Sequence, residues 1–250
     1  MKNLFKRLKP ISGFSHYFHV GLNILLPIVV LILVRLNFIE ISVFVIILSK
    51  WRMFAVKPRF WPANIRANSV DIIVGISTIV FMVESSNSWW QILWAVIYGI
   101  WLVIIKPAET PFLVSVQSLV AQLFGLMAIY SWSSANNLEL TLLTGIVCFL
   151  SARHFFDNFD EPHARLMSYT WGYFGAGLGW ILSYWLLFYG SIAQPTLILT
   201  IIGYSIASLY YLQKKNRLNS LLQKQFIIIM VIVILAILAF GIIRLGDNIA

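Results

Sequence analysis

The stretch from Ser151 to Arg165, SARHFFDNFDEPHAR, packs reactive side chains between two long apolar runs. It holds Arg153, His154, Asp157, Asp160, Glu161, His163 and Arg165. Two of the chain's four His fall here, so acid–base chemistry has few other places to reside. On a helix His154 and Asp157 share a face, a pairing suited to proton transfer or metal ligation. His16 and His19 repeat that spacing near the start. Zinc, manganese and iron take such ligands, which makes His16, His19, His154, Asp157 and His163 the candidate metal set. A single cysteine excludes a disulfide framework and a Cys-based metal site, and Cys148 reads as a small buried hydrophobe. The residues name no cofactor.

Asp71 is the other unusual charge, because it falls inside an apolar run rather than in a loop. A carboxylate there is costly unless paired, and Arg66 is the nearest cation in sequence. WPANIRANS before that run and EPHARLMS before a later one both read Pro, then Arg, then Ser three residues after the Arg. The match raises a parallel repeat of four spans plus four, with a ninth added. It would bring Arg66 and Arg165, each beside a helix N-terminus, to one anion-attracting cleft. The candidate site on this reading is Arg66, Asp71, Arg153, His154, Asp157, Asp160, His163 and Arg165. The plainer reading is a capped loop, with Asp160 or Glu161 at the start of the next helix, Pro162 in its first turn and Arg153 near the end of the one before.

What must position these residues follows from composition. Hydrophobic residues make up 60% of the chain and charged ones 11%, against about 25% charged in soluble proteins. Apolar runs of roughly 20 residues, continuous rather than alternating, imply membrane-crossing helices and not a barrel. The expected architecture is an all-α integral membrane protein, one transmembrane helical domain over 1–250, with about nine spans (8–9). They fall near 20–36, 38–56, 68–83, 89–105, 111–132, 138–156, 166–189, 195–212 and 226–243. The second is the weakest, since only 38–48 is cleanly apolar and Lys50 and Arg52 would have to snorkel.

Orientation follows from charge. With the N-terminus in the cytosol and the C-terminus outside, every Lys and Arg except Arg35 and Arg244 falls on the cytosolic side. This predicts the plasma membrane of a prokaryote. The net charge of +9 points to anionic head groups as a partner, not to nucleic acid, for which no recognition fold is visible. Gly172, Gly175 and Gly179 line one face of the seventh run, a stripe expected to pack closely on another helix. Ser115, Ser118, Gln122 and Gly125 form a polar face on the fifth, expected to point into the bundle.

Two known membrane chemistries fail at the residues they need. Intramembrane aromatic prenyltransferases use two Asp-rich motifs, whereas Asp157 and Asp160 are the one close pair here. Four His are too few for the boxes of membrane desaturases. Three classes stay open. One is a transporter or permease for a small solute, an anion being favoured by the Arg pair. Another is an enzyme acting on a lipid or lipid-linked phosphate at the cytosolic leaflet. The third is a non-catalytic scaffold or assembly subunit. A small-molecule or lipid ligand suits the first two, and the sequence does not set an oligomeric state.

Overall fold

The computed structural model describes residues 14–107, 110–132 and 135–247, with the side chains of 14–20, 52 and 242–247 outside that description. His16, His19, Arg52 and Arg244 therefore have no side-chain account. Ten α-helices make up the described chain: α1 Phe14–Arg35, α2 Ile39–Leu48, α3 Trp61–Ala67, α4 Ser69–Glu84, α5 Ser88–Ile100, α6 Pro111–Ser131, α7 Asn137–Asn158, α8 Ala164–Ser183, α9 Gln194–Lys214 and α10 Ser220–Asp247. A short hairpin, β1 Phe188–Tyr189 with β2 Ile192–Ala193, joins α8 to α9 around Gly190 at φ +64°. The fold is all-α.

Local chemistry sets the helix ends. Asn136 and Glu139 form a reciprocal capping box that starts α7. Thr110 caps α6, whose first residue is Pro111, and Asn87 accepts from Trp89 N to start α5. α5 runs on into a single π turn, Trp101–Ile105, where Lys106 N reaches back to Trp101 O at 2.8 Å, and Pro107 follows.

Among the described residues, five helices are long and apolar enough to cross a membrane: Ser88–Ile105 (α5 with its π turn), Pro111–Ser131, Asn137–Asn158, Gln194–Lys214 and Ser220–Gly241. A sixth arises if α3 and α4, bent by 63° at Asn68, count together. The run expected at 38–56 is a ten-residue helix followed by 3-10 turns at Trp51–Met53 and Pro58–Phe60. Ten residues rise about 15 Å, half a hydrocarbon core. α8 is long enough, but Gly, Tyr and Trp hold its hydropathy down.

Two larger apolar cores hold the bundle, with a smaller third of Phe155, Phe156 and Ala164 packed on Tyr210. One joins α1, α2, α4, α5 and α6 through Val30, Ile46, Val74, Met82, Tyr98 and Ala121. The second joins α6, α7 and α9 through Leu126, Tyr130, Val147, Cys148 and Leu199. α7 and α8 form the most intimate pair. A Cβ added at Gly172 would lie 2.9 Å from Phe149 Cβ and 3.1 Å from Gly145 O, and one at Gly175 2.6 Å from Cys148 Sγ. Gly179 faces Tyr130 and Thr144 at similar range. Gly145 on α7 meets this stripe across the interface, so backbone lies on backbone. α10 packs on α9, and only 6% of its most apolar stretch is buried.

The WPANIRANS and EPHARLMS stretches do not share a local structure. Arg66 is in the last turn of α3, before the bend at Asn68, whereas Arg165 is in the first turn of α8 with no helix before it.

Candidate functional site

The charged groups meet at one end of the bundle, where α3, α7 and α9 finish and α4, α6 and α8 begin. Asp71 sits in the first turn of α4 and is 8% exposed. Its Oδ2 receives Lys50 Nζ at 3.0 Å and Lys106 Nζ at 2.9 Å, while Trp101 Nε1 donates to Oδ1 at 3.1 Å. The local pairing with Arg66 is thus replaced by two lysines distant in sequence. Lys50 does not snorkel: with α2 ending at Leu48, its side chain turns inward and is 6% exposed. The π turn carries Trp101 and Lys106 to the same carboxylate from α5. The buried Asp71 carboxylate, the buried Lys50 ammonium and the part-exposed Lys106 ammonium tie three elements at a point.

Arg66 reaches α7 instead. Its Nε lies 3.9 Å from Asp157 Oδ2, a long contact between half-exposed side chains. Arg153 holds the same carboxylate more tightly, Nη2 to Oδ1 at 2.9 Å and Nε to Oδ2 at 3.1 Å. This i,i+4 pair takes Asp157 from His154, which turns the other way. His154 Nε2 meets Gln117 Oε1 at 3.1 Å, and Gln117 Nε2 donates to Ile105 O at 2.6 Å at the end of the π turn. With the Gln117 carbonyl as acceptor, Nε2 carries the His154 proton. A polar chain thus runs from α7 through α6 to the backbone at Ile105, next to Lys106.

The capped-loop expectation changes as well. Asp160 is exposed and adopts the left-handed conformation (φ +49°), so it terminates α7 rather than starting α8. His163 is the residue before α8, exposed and making no side-chain cap. Pro162 precedes the helix. Glu161 leaves the helix end and reaches α9, accepting from the Tyr210 hydroxyl and pairing with Lys214 Nζ at 2.8 Å. The Lys214 ammonium, with help from the Tyr210 hydroxyl, holds the Glu161 carboxyl below its ordinary value. Arg165 is exposed, its guanidinium 5.9 Å from the Tyr169 ring centroid. Arg66 and Arg165 therefore engage different partners. Among the described residues, no three His, Cys, Asp or Glu side chains gather as a metal ion would need.

Beside these charges lies a cavity of about 490 Å³ between α6, α7, α8 and α9. Phe156, Leu166 and Tyr210 line it near the charged end, and Gln122, Trp171 and Gly203 lie deeper. Gln122 spans that inner part: Nε2 donates to Leu199 O at 3.0 Å, and Oε1 accepts from Trp171 Nε1 at 2.9 Å. Ser118 and Gln122, on the polar face of α6, are both buried.

Sequence reasoning missed Lys50, Trp101, Lys106, Gln117, Tyr210 and Lys214. The available signal was charge at the ends of apolar runs: Lys50 and Lys106 each close one, as Asp71 opens one.

Family models, curated proteins and solved structures yield no match to this chain. Fold and site alone define the class. Among the described residues it is an all-α bundle with five helices long and apolar enough for a membrane, charged groups paired across its helices at one end, and an apolar cavity beside them.

Proposed function

We propose that the chain is a multi-pass protein of a prokaryotic cytoplasmic membrane, and that it binds an anionic lipid or lipid-linked phosphate from the cytosolic leaflet. It crosses about nine times, N-terminus inside and C-terminus outside, with its basic face against anionic head groups. The observation that carries the lipid reading is the cavity. At about 490 Å³ it is within the range of ligand pockets, roughly 300–1,000 Å³. Its walls are mainly apolar, and Tyr210 at its rim hydrogen-bonds Glu161, which pairs with Lys214.

The same features weigh against the other readings. None of the residues lining the cavity is His, Asp or Glu, so the reading is one of binding rather than catalysis. A permease for a small solute needs a polar path through the bundle, whereas the walls of this cavity are mainly apolar.

Native mass spectrometry of the protein released from detergent tests the proposal. Co-purified anionic lipid is expected, and Ala207→Trp, which fills the cavity, should strip most of it without lowering the melting temperature. Undiminished lipid on that variant would remove the cavity from the account. Recovery of the protein from the soluble fraction of cells would overturn the membrane reading itself.

A further inference from the structure

The cavity wall contains one hydrogen-bond donor without a partner. Ser151, on α7, is 1% exposed and lines the cavity, and its Oγ has no hydrogen bond. The other polar side chains on that wall are all engaged. Ser118 donates to Val114 O at 3.1 Å, Thr170 to Leu166 O at 3.1 Å, and Tyr210 to Glu161. Gln122 and Trp171 satisfy each other. A buried hydroxyl left unpaired costs more than a typical hydrogen bond gains, so Ser151 is placed for an acceptor carried by an occupant. Water is a poor occupant, because a buried water needs two to four polar partners and this lining is almost wholly apolar.

Depth narrows the acceptor. Ser151 is about two turns, roughly 10 Å, inside the end of α7 at Asn158. The cation at the rim is Lys214, one turn beyond the lining residue Tyr210, whereas Arg165 turns away toward Tyr169, outside the cavity lining. A ligand with its phosphate on Lys214 and an apolar chain in the cavity presents to Ser151 whatever lies just below the phosphate. In a glycerophospholipid that group is an ester carbonyl. In an isoprenyl phosphate it is hydrocarbon, which would leave Ser151 unpaired. Resting on the lipid-binding reading above, the geometry points to an ester-linked anionic glycerophospholipid as the ligand. Ser151 Oγ donates to an ester carbonyl, and Lys214 holds the phosphate.

The test uses full-length protein in detergent, titrated by native mass spectrometry with four probes. They are dioleoyl phosphatidylglycerol, its ether-linked analogue lacking the carbonyls, dioleoyl phosphatidylcholine and undecaprenyl phosphate. The native protein should prefer the ester over the ether form by about three- to tenfold, the range of one hydrogen bond. Ser151→Ala should abolish that preference while still binding both. Lys214→Ala should lower the preference for phosphatidylglycerol over phosphatidylcholine and leave the ester preference intact. Equal binding of ester and ether forms to native protein would overturn the assignment, as would a preference that survives in Ser151→Ala. Undecaprenyl phosphate binding tightest would overturn it too, yet leave the broader lipid reading standing. If no probe binds, or Ala207→Trp leaves every affinity unchanged, the lipid reading fails first.

Discussion

Lys50 Nζ lies 3.0 Å from Asp71 Oδ2, with both side chains at least nine-tenths buried. That contact links the end of the short α2 to the start of α4, and Lys106 brings in the π turn of α5. Removing the carboxylate leaves two ammoniums facing each other with no counter-charge. Asp71→Asn should therefore cost about 3–5 kcal/mol, the usual penalty for orphaning a buried ion. Lys50→Met should cost clearly less, because Lys106 and Trp101 still satisfy Asp71. Thermal unfolding in detergent gives the comparison. Equal, small losses would mean that water reaches the cluster freely.

The glycine stripe gives a second expectation with an internal control. Gly172→Ala should cost about 1–3 kcal/mol by overpacking against Phe149 and Gly145 O. Gly177 is on the same helix with open space around it, so Gly177→Ala should be neutral or stabilise by up to about 1 kcal/mol. Gly175→Ala should be partly rescued by Cys148→Ala, which removes the sulfur that the new methyl would meet. Identical melting temperatures for the Gly172 and Gly177 variants would contradict the packing described for α7 and α8.

These contacts also mark what was legible in the chain. Helical class was readable because long apolar runs have few stable forms, and the small stripe because Gly spacing follows the helix repeat. The long-range partners were not. Asp71 has Arg66 close in sequence, yet the bend at Asn68 and the inward turn of Lys50 decide its pairing. His154 and Asp157 share a face, but Arg153 competes for the carboxylate through an i,i+4 bond and Gln117 offers His154 another partner. The cavity depends on how four helices splay, which no single run encodes.

Glu161 carries a pH dependence. Its carboxyl is held below the ordinary value of 4.5 by Lys214 and then Tyr210, so the folded state favours the ionised form. The stability it adds is fully present above the unfolded value and is lost as pH falls through the depressed folded one. Glu161→Gln should lower the melting temperature near neutral pH, and the gap to native protein should close as pH falls below about 4. A gap that widens on acidification would assign the loss to packing rather than to the charge.

Membrane threading is tested by the chain's own cysteine content. Cys148 is the one cysteine and is fully buried, so single exposed cysteines can be read against a quiet background. Ser86 lies in the turn between α4 and α5, and Ser191 in the hairpin between α8 and α9. Lys57 lies between α2 and α3, and Asn216 between α9 and α10. If α2 crosses, Ser86→Cys and Ser191→Cys should react with a membrane-impermeant maleimide on intact cells. Lys57→Cys and Asn216→Cys should react only after the membrane is opened. The ten residues of α2 make Lys57 the decisive position, since a helix of about 15 Å crosses only with the bilayer thinned or the flanking turns drawn in. Labelling of Lys57→Cys from outside would make α2 re-entrant. It would also carry Arg59 and Arg66 across with it, against the charge asymmetry that orients the rest of the chain.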